Sequence, residues 1–173
     1  IYGPKGIGAL VIRQNCPIIP LQWGGGQEQE IRPGTVPIPL VIGLAKAAEL
    51  AFYDLKSREK RLDSLRNELW NRLREKIPDL ILNGSIKHRL ANNLNFTVPG
   101  VRGYKLHKAL RPLLICSSGS ACSNGEPSHV LRAIGRSKDE AESSLRLSLG
   151  RKTTIEEVNR AVDVISRAII NLR

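Results

Sequence analysis

Ser144-Leu-Arg-Leu-Ser-Leu-Gly-Arg-Lys-Thr-Thr-Ile-Glu-Glu-Val-Asn-Arg-Ala-Val-Asp-Val-Ile-Ser-Arg-Ala-Ile-Ile-Asn-Leu172 changes its hydrophobic period at Gly150. Before the glycine, Leu145, Leu147 and Leu149 alternate with Arg146 and Ser148, the period of a strand with one buried face. After it, Ile155, Val158, Val162, Ile165, Ile169 and Leu172 recur at helical spacing, and Thr154 with Glu157 forms a capping box. A strand running directly into a long amphipathic helix means that sheet and helix share one core.

Working upstream, Ser128 to Ile134 reads as a short helix closed by Gly135, and Leu113 to Cys116 as an apolar strand. Tyr104 to Leu110 reads as a helix ended by Pro112, and Asn93 to Val98 and Leu80 to Leu82 as strands. Two helices precede them. Leu62, Leu65, Leu69, Leu73 and Ile77 form the stripe of one, stopped by Pro78; Val41, Leu44, Ala45, Ala48 and Phe52 give the other, from Leu40 to Lys56, one broad buried face. Gly6 to Arg13 and Ile18 to Gln22 read as strands with no neighbouring partner of their own, so they are expected to belong to a sheet completed elsewhere.

The 173 residues are 41% hydrophobic, enough for a sizeable core. Lys and Arg exceed Asp and Glu by 27 to 16, but from Asp54 to Lys76 the basic residues alternate with Asp54, Glu59, Asp63, Glu68 and Glu75. That is an ion-paired helix surface and argues against nucleic-acid binding. No apolar run is long enough for a membrane span and the first residues lack the order of a signal peptide, so a soluble, cytoplasmic protein is expected. The chain contains no methionine and reads as a piece of a longer protein. Cys16, Cys116 and Cys122 lack metal-ligand spacing and are an odd number, which fits free thiols.

Three positions carry candidate chemistry. Cys122 lies in Ser117-Ser-Gly-Ser-Ala-Cys-Ser-Asn-Gly125, where small neighbours leave a sulfur accessible and glycines let the chain move, as a nucleophilic thiol requires. Such loops are common, and an inert cysteine is the plainer reading on residue types alone. Arg146 stands on the polar face of its strand, where a guanidinium could grip a carboxylate through two parallel hydrogen bonds or merely form a surface ion pair. Thr35 follows Arg32-Pro-Gly34 at the start of a helical pattern; it is either a hydroxyl donor to a phosphate or a simple N-cap. Cys116 reads as a small core residue, and His88, His107 and His129 as surface or packing residues.

In this order, the stretches GPKGIGAL from Gly3, GGGQE from Gly24, RPGT from Arg32, SSGSACS from Ser117, EPSHVLRAIG from Glu126 and LRLSLGR from Leu145 resemble the cysteine desulfurases of the NifS/IscS kind, within the class-V aminotransferases. The resemblance covers nearly the whole chain. It implies an α/β fold: the C-terminal part of a pyridoxal-phosphate-dependent transferase of fold type I, residues 1–35 being a remnant of the large domain and 36–173 a small α+β domain. It implies a homodimer that removes sulfur from L-cysteine, leaving L-alanine and a persulfide on Cys122 for a sulfur acceptor or iron-sulfur scaffold protein. Arg146 would hold the substrate carboxylate, and Thr35 the cofactor phosphate of the neighbouring subunit. The chain departs from the family in two ways. The cofactor lysine follows a histidine just upstream of the Ile-Tyr-Gly-Pro-Lys-Gly segment, so Lys5 is not that lysine and this piece alone is expected to be inactive. The interval from Cys122 to Glu126 is shorter than in the commonest form, which bears on how far sulfur can be carried. A non-catalytic module that binds a sulfur acceptor is the alternative.

Overall fold

The alternation around Arg146 does form a strand, and its partners lie upstream. In this computed structural model, which describes residues 1–117 and 127–173, β1 (Ile81–Leu82), β2 (Asn93–Thr97) and β3 (Ser144–Ser148) make an antiparallel sheet in the order β1-β2-β3. The register sets Leu94 opposite Leu147 and Phe96 opposite Leu145, so the apolar residues of both strands fall on one face. Asn93, Asn95 and Thr97 pair with Ser148, Arg146 and Ser144 on the other.

The residues divide into two compact units, Ile1–Leu55 and Lys56–Arg173. In the second, helices cover the apolar face of the sheet. They are α2 (Leu55–Lys76), α3 (Gly103–Leu110) and α6 (Ile155–Leu172). Leu69, Trp70 and Leu73 of α2, Leu106 and Leu110 of α3, and Val158, Val162, Ile165 and Ile169 of α6 join Leu94, Phe96, Val98, Leu145, Leu147 and Leu149 in one buried cluster. Trp70 and Phe96 meet as tilted rings with centroids 6.1 Å apart.

The capping box at the start of α6 is present as the sequence predicts. The Thr154 hydroxyl accepts from the Glu157 amide at 3.3 Å, while the Glu157 carboxylate accepts from the Thr154 amide at 3.0 Å. Thr154→Ala is therefore expected to lower stability by about 1 kcal/mol in denaturant unfolding followed by circular dichroism. A change below the error of the measurement would mean that packing alone fixes where α6 begins.

Two further short helices, α4 (His129–Ala133) and α5 (Lys138–Glu142), lie between the undescribed residues and β3. The sequence reading contained α4 but not α5. A five-residue helix shows no apolar stripe, and its signal is the capping box of Ser137 and Glu140 alone. Leu113 to Cys116, read as a strand, is not one: after α3 the amides of Leu113 and Leu114 still bond back to the Leu110 carbonyl, each at 2.8 Å. Among the described residues that follow α3, Ser117 pairs with β3, as an isolated antiparallel rung with Arg146.

In the first unit, residues 3–6 lie across α1 (Ile38–Tyr53). Gly43 makes this approach possible, since a Cβ there would come within 2.7 Å of the Pro4 ring. The strands expected at Gly6 to Arg13 and Ile18 to Gln22 do not form. A strand must exchange its amide and carbonyl bonds with a neighbouring strand, and neither segment has one among the described residues. The broad buried face expected of α1 is likewise not realised: Ala47 alone is buried, and Phe52 is 82% exposed. Among the described residues no helix is long and apolar enough to cross a membrane.

Candidate active site

Arg146 is the middle residue of β3, flanked by the buried Leu145 and Leu147, and its side chain is exposed on the opposite face. Its amide donates to the Ser117 carbonyl at 2.7 Å, and the Ser117 amide donates to its carbonyl at 3.0 Å. Both backbone groups of Arg146 are thus turned toward Ser117 and away from β2. Arg146 and Asn95 consequently form a non-hydrogen-bonded pair, the closer of the two antiparallel arrangements, with neighbouring side chains.

This polar face is built as firmly as the core beneath it. Asn83 donates to the Asn95 side-chain oxygen at 2.7 Å and to the Ser144 hydroxyl at 3.0 Å, while Thr97 donates to the Asn83 oxygen at 3.1 Å. Ser144 in turn donates to the Glu140 carbonyl of α5 at 2.7 Å. Asn83, Thr97 and Ser144 are buried, and no buried side-chain polar atom among the described residues lacks a partner. A satisfied buried network fixes one arrangement, because each lost bond would strand a polar group away from water. The platform beside Arg146 is therefore rigid, and the guanidinium itself has no ion pair or hydrogen bond among the described residues. Among the described residues, the surface ion pair that is the plain alternative for this arginine is not present.

The chain reaches Ser117 from α3. His107 on that helix bonds through Nε2 to the carbonyl oxygen of Cys116 at 3.1 Å. A carbonyl only accepts, so the bond requires a proton on Nε2. Sequence reading treated His107 as a surface or packing residue, and a solitary histidine gives no spacing from which this contact could be foreseen. Cys116 is half-buried, and burial pushes its thiol above the ordinary cysteine range. It carries less thiolate and suits packing rather than nucleophilic attack.

Cys122 lies outside the described residues, five positions beyond Ser117 in the sequence. Thr35 belongs to the first unit and Arg146 to the second. Thr35 is exposed and is not an N-cap: α1 starts at Ile38 with Pro37 at the cap position and no side-chain cap bond. Its neighbour Gly34 has φ of +98°, a left-handed conformation suited to glycine, and its amide donates to the Gln27 side chain at 3.0 Å.

The model of the aminotransferase class-V family matches residues 1–161. Cysteine desulfurase IscS of Ehrlichia chaffeensis is 43% identical over an alignment that covers all of this chain and 43% of that protein. The mitochondrial cysteine desulfurase of Drosophila melanogaster is 44% identical, with all of this chain and 38% of the relative covered. The chain thus spans less than half the length of these curated relatives. Among solved structures, a NifS-like protein superimposes with a TM-score of 0.87 at 31% identity, over 99% of this chain and 44% of the other. A NifS-like protein from Rickettsia africae gives 0.75 at 26% identity, over 89% and 41%. The fold is therefore that of part of a pyridoxal-phosphate-dependent transferase of fold type I, and the chain belongs to the class-V aminotransferase family.

Proposed function

We propose that this chain is the C-terminal part of a cysteine desulfurase that works as a homodimer, with its small domain starting near residue 36. Cys122 receives sulfur from L-cysteine, Arg146 holds the substrate carboxylate, and Thr35 serves the cofactor phosphate of the neighbouring subunit. The observation that carries the reading is the Ser117–Arg146 rung. Five residues of extended chain span at most about 18 Å, so position 122 is tethered within that reach of Ser117, the residue paired with Arg146.

The residues present fit one end of pyridoxal phosphate. Thr35 offers an exposed hydroxyl to a phosphate, whereas every lysine of this chain is solvent-exposed and none is desolvated as an amine that bonds a cofactor aldehyde usually is. The amine must come from elsewhere in the complete protein, and the piece alone is inactive. When bound, the cofactor supplies an electron sink for the substrate carbon skeleton.

This chain's own part is positioning and nucleophilic attack. Arg146 orients cysteine by its carboxylate through two parallel N–H bonds. The Cys122 thiolate attacks the substrate sulfur; the S–S bond forms as the substrate C–S bond breaks, and the bonding pair stays on carbon. Protonation there gives alanine, and the enzyme keeps a persulfide for an acceptor or iron-sulfur scaffold protein. The test is mass spectrometry of the complete protein after brief exposure to L-cysteine. A gain of one sulfur atom is expected on the peptide containing Cys122, reversible by reductant. A gain on Cys16 or Cys116 instead, or on none, would refute the reading.

A further inference from the structure

We propose that His107 is a positioning residue for sulfur transfer: by holding the Cys116 carbonyl it steadies the Ser117–Arg146 rung, five residues before Cys122 in the sequence. The inference rests on the sulfur-accepting role of Cys122 proposed above, and its geometry rests on described residues alone.

The segment between α3 and Ser117 is tied back to α3 at its start, where the Leu113 and Leu114 amides bond to the Leu110 carbonyl. Leu113 is 56% exposed and Ile115 is 98% exposed, so burial secures only the alternate residues Leu114 and Cys116, which lean partly on the core. Among the described residues the Ser117–Arg146 rung stands outside any longer ladder, and an isolated rung lacks the neighbouring pairs that make a ladder cooperative. The His107 bond to Cys116 adds a side-chain hold on the residue adjoining that rung.

The helix that carries His107 is closely packed against the start of β3. Leu106 and Leu110 are fully buried, and Gly103 packs so tightly that a Cβ there would come within 2.8 Å of the Glu142 and Ser144 carbonyls. Contacts therefore close a ring, running from β3 through Gly103 into α3, from His107 to Cys116, and from Ser117 back to Arg146. Loss of the imidazole would let the rung open more often, and the thiol five residues on would meet the substrate held by Arg146 less often, without altering the grip on the carboxylate.

The experiment compares His107→Leu with His107→Gln in the complete protein, since a glutamine amide nitrogen can donate where the imidazole Nε2 does. Amide exchange at Ser117 and Arg146 and the kinetics of sulfide release from cysteine are read together. His107→Leu is expected to speed exchange at both amides about 3–10-fold, as loss of one net hydrogen bond allows. It should lower kcat by a similar factor while the half-saturating cysteine concentration stays within about twofold. His107→Gln should recover both. Unchanged exchange in His107→Leu, faster exchange with undiminished kcat, or failure of glutamine to restore either would overturn the proposal. A Cys122 that never gains sulfur would instead defeat the underlying reading, and the exchange result would still stand or fall by itself.

Discussion

Replacing Cys122 with serine in the complete protein is expected to lower sulfide release from L-cysteine by roughly a thousandfold or more, the scale on which removal of a covalent nucleophile acts. A hydroxyl is close to a thiol in size but remains protonated at neutral pH and does not attack sulfur. Binding should survive, because the proposed carboxylate grip lies in Arg146 and not in the thiol. The half-saturating cysteine concentration should therefore stay near that of the parent wherever residual turnover can be measured. Parent-level sulfide release from the serine variant would remove Cys122 from the chemistry. Cys116 is a poor substitute, being half-buried with its thiol pushed up by burial.

Arg146→Ala is expected to act on the other parameter, raising the half-saturating cysteine concentration roughly 10–100-fold, as loss of a charge-assisted hydrogen bond of about 1.5–3 kcal/mol implies. The interpretation is favoured by where the side chain sits. It is exposed, without an ion pair among the described residues, and the rung to Ser117 uses only backbone atoms that alanine also has. Stability should thus change by no more than about 0.5 kcal/mol, as at an ordinary surface position. Arg146→Lys should recover only part of the affinity, since an ammonium cannot make two parallel bonds to a carboxylate. An unchanged dependence on cysteine in the alanine variant would take Arg146 out of the substrate site. The three variants separate three roles, with Cys122 needed for the transfer, Arg146 for holding the substrate, and His107 for how often the two meet.

The alternation Leu145-Arg-Leu-Ser-Leu149, the Thr154 and Glu157 cap and the stripes of α2 and α6 were legible in the chain because periodicity and capping are local: each is written within a few turns or a few rungs. The same locality put Arg146 on the polar face of its strand, whereas Cys122, a candidate by its neighbours, lies outside the described residues. Expectations failed where a residue's state depends on a partner distant in sequence. Among the described residues, Gly6 to Arg13 and Ile18 to Gln22 have strand composition but no neighbour to exchange bonds with, and residues 3–6 cover only part of the apolar face of α1. Only the tertiary structure could turn both backbone groups of Arg146 toward Ser117, assemble Asn83, Thr97 and Ser144 into one buried network, and bring His107 to the Cys116 carbonyl. Those pairings form because the sheet register and the docking of α3 fix positions that hydrogen bonds, short-ranged and directional, then select, and no local pattern encodes a distance across the fold.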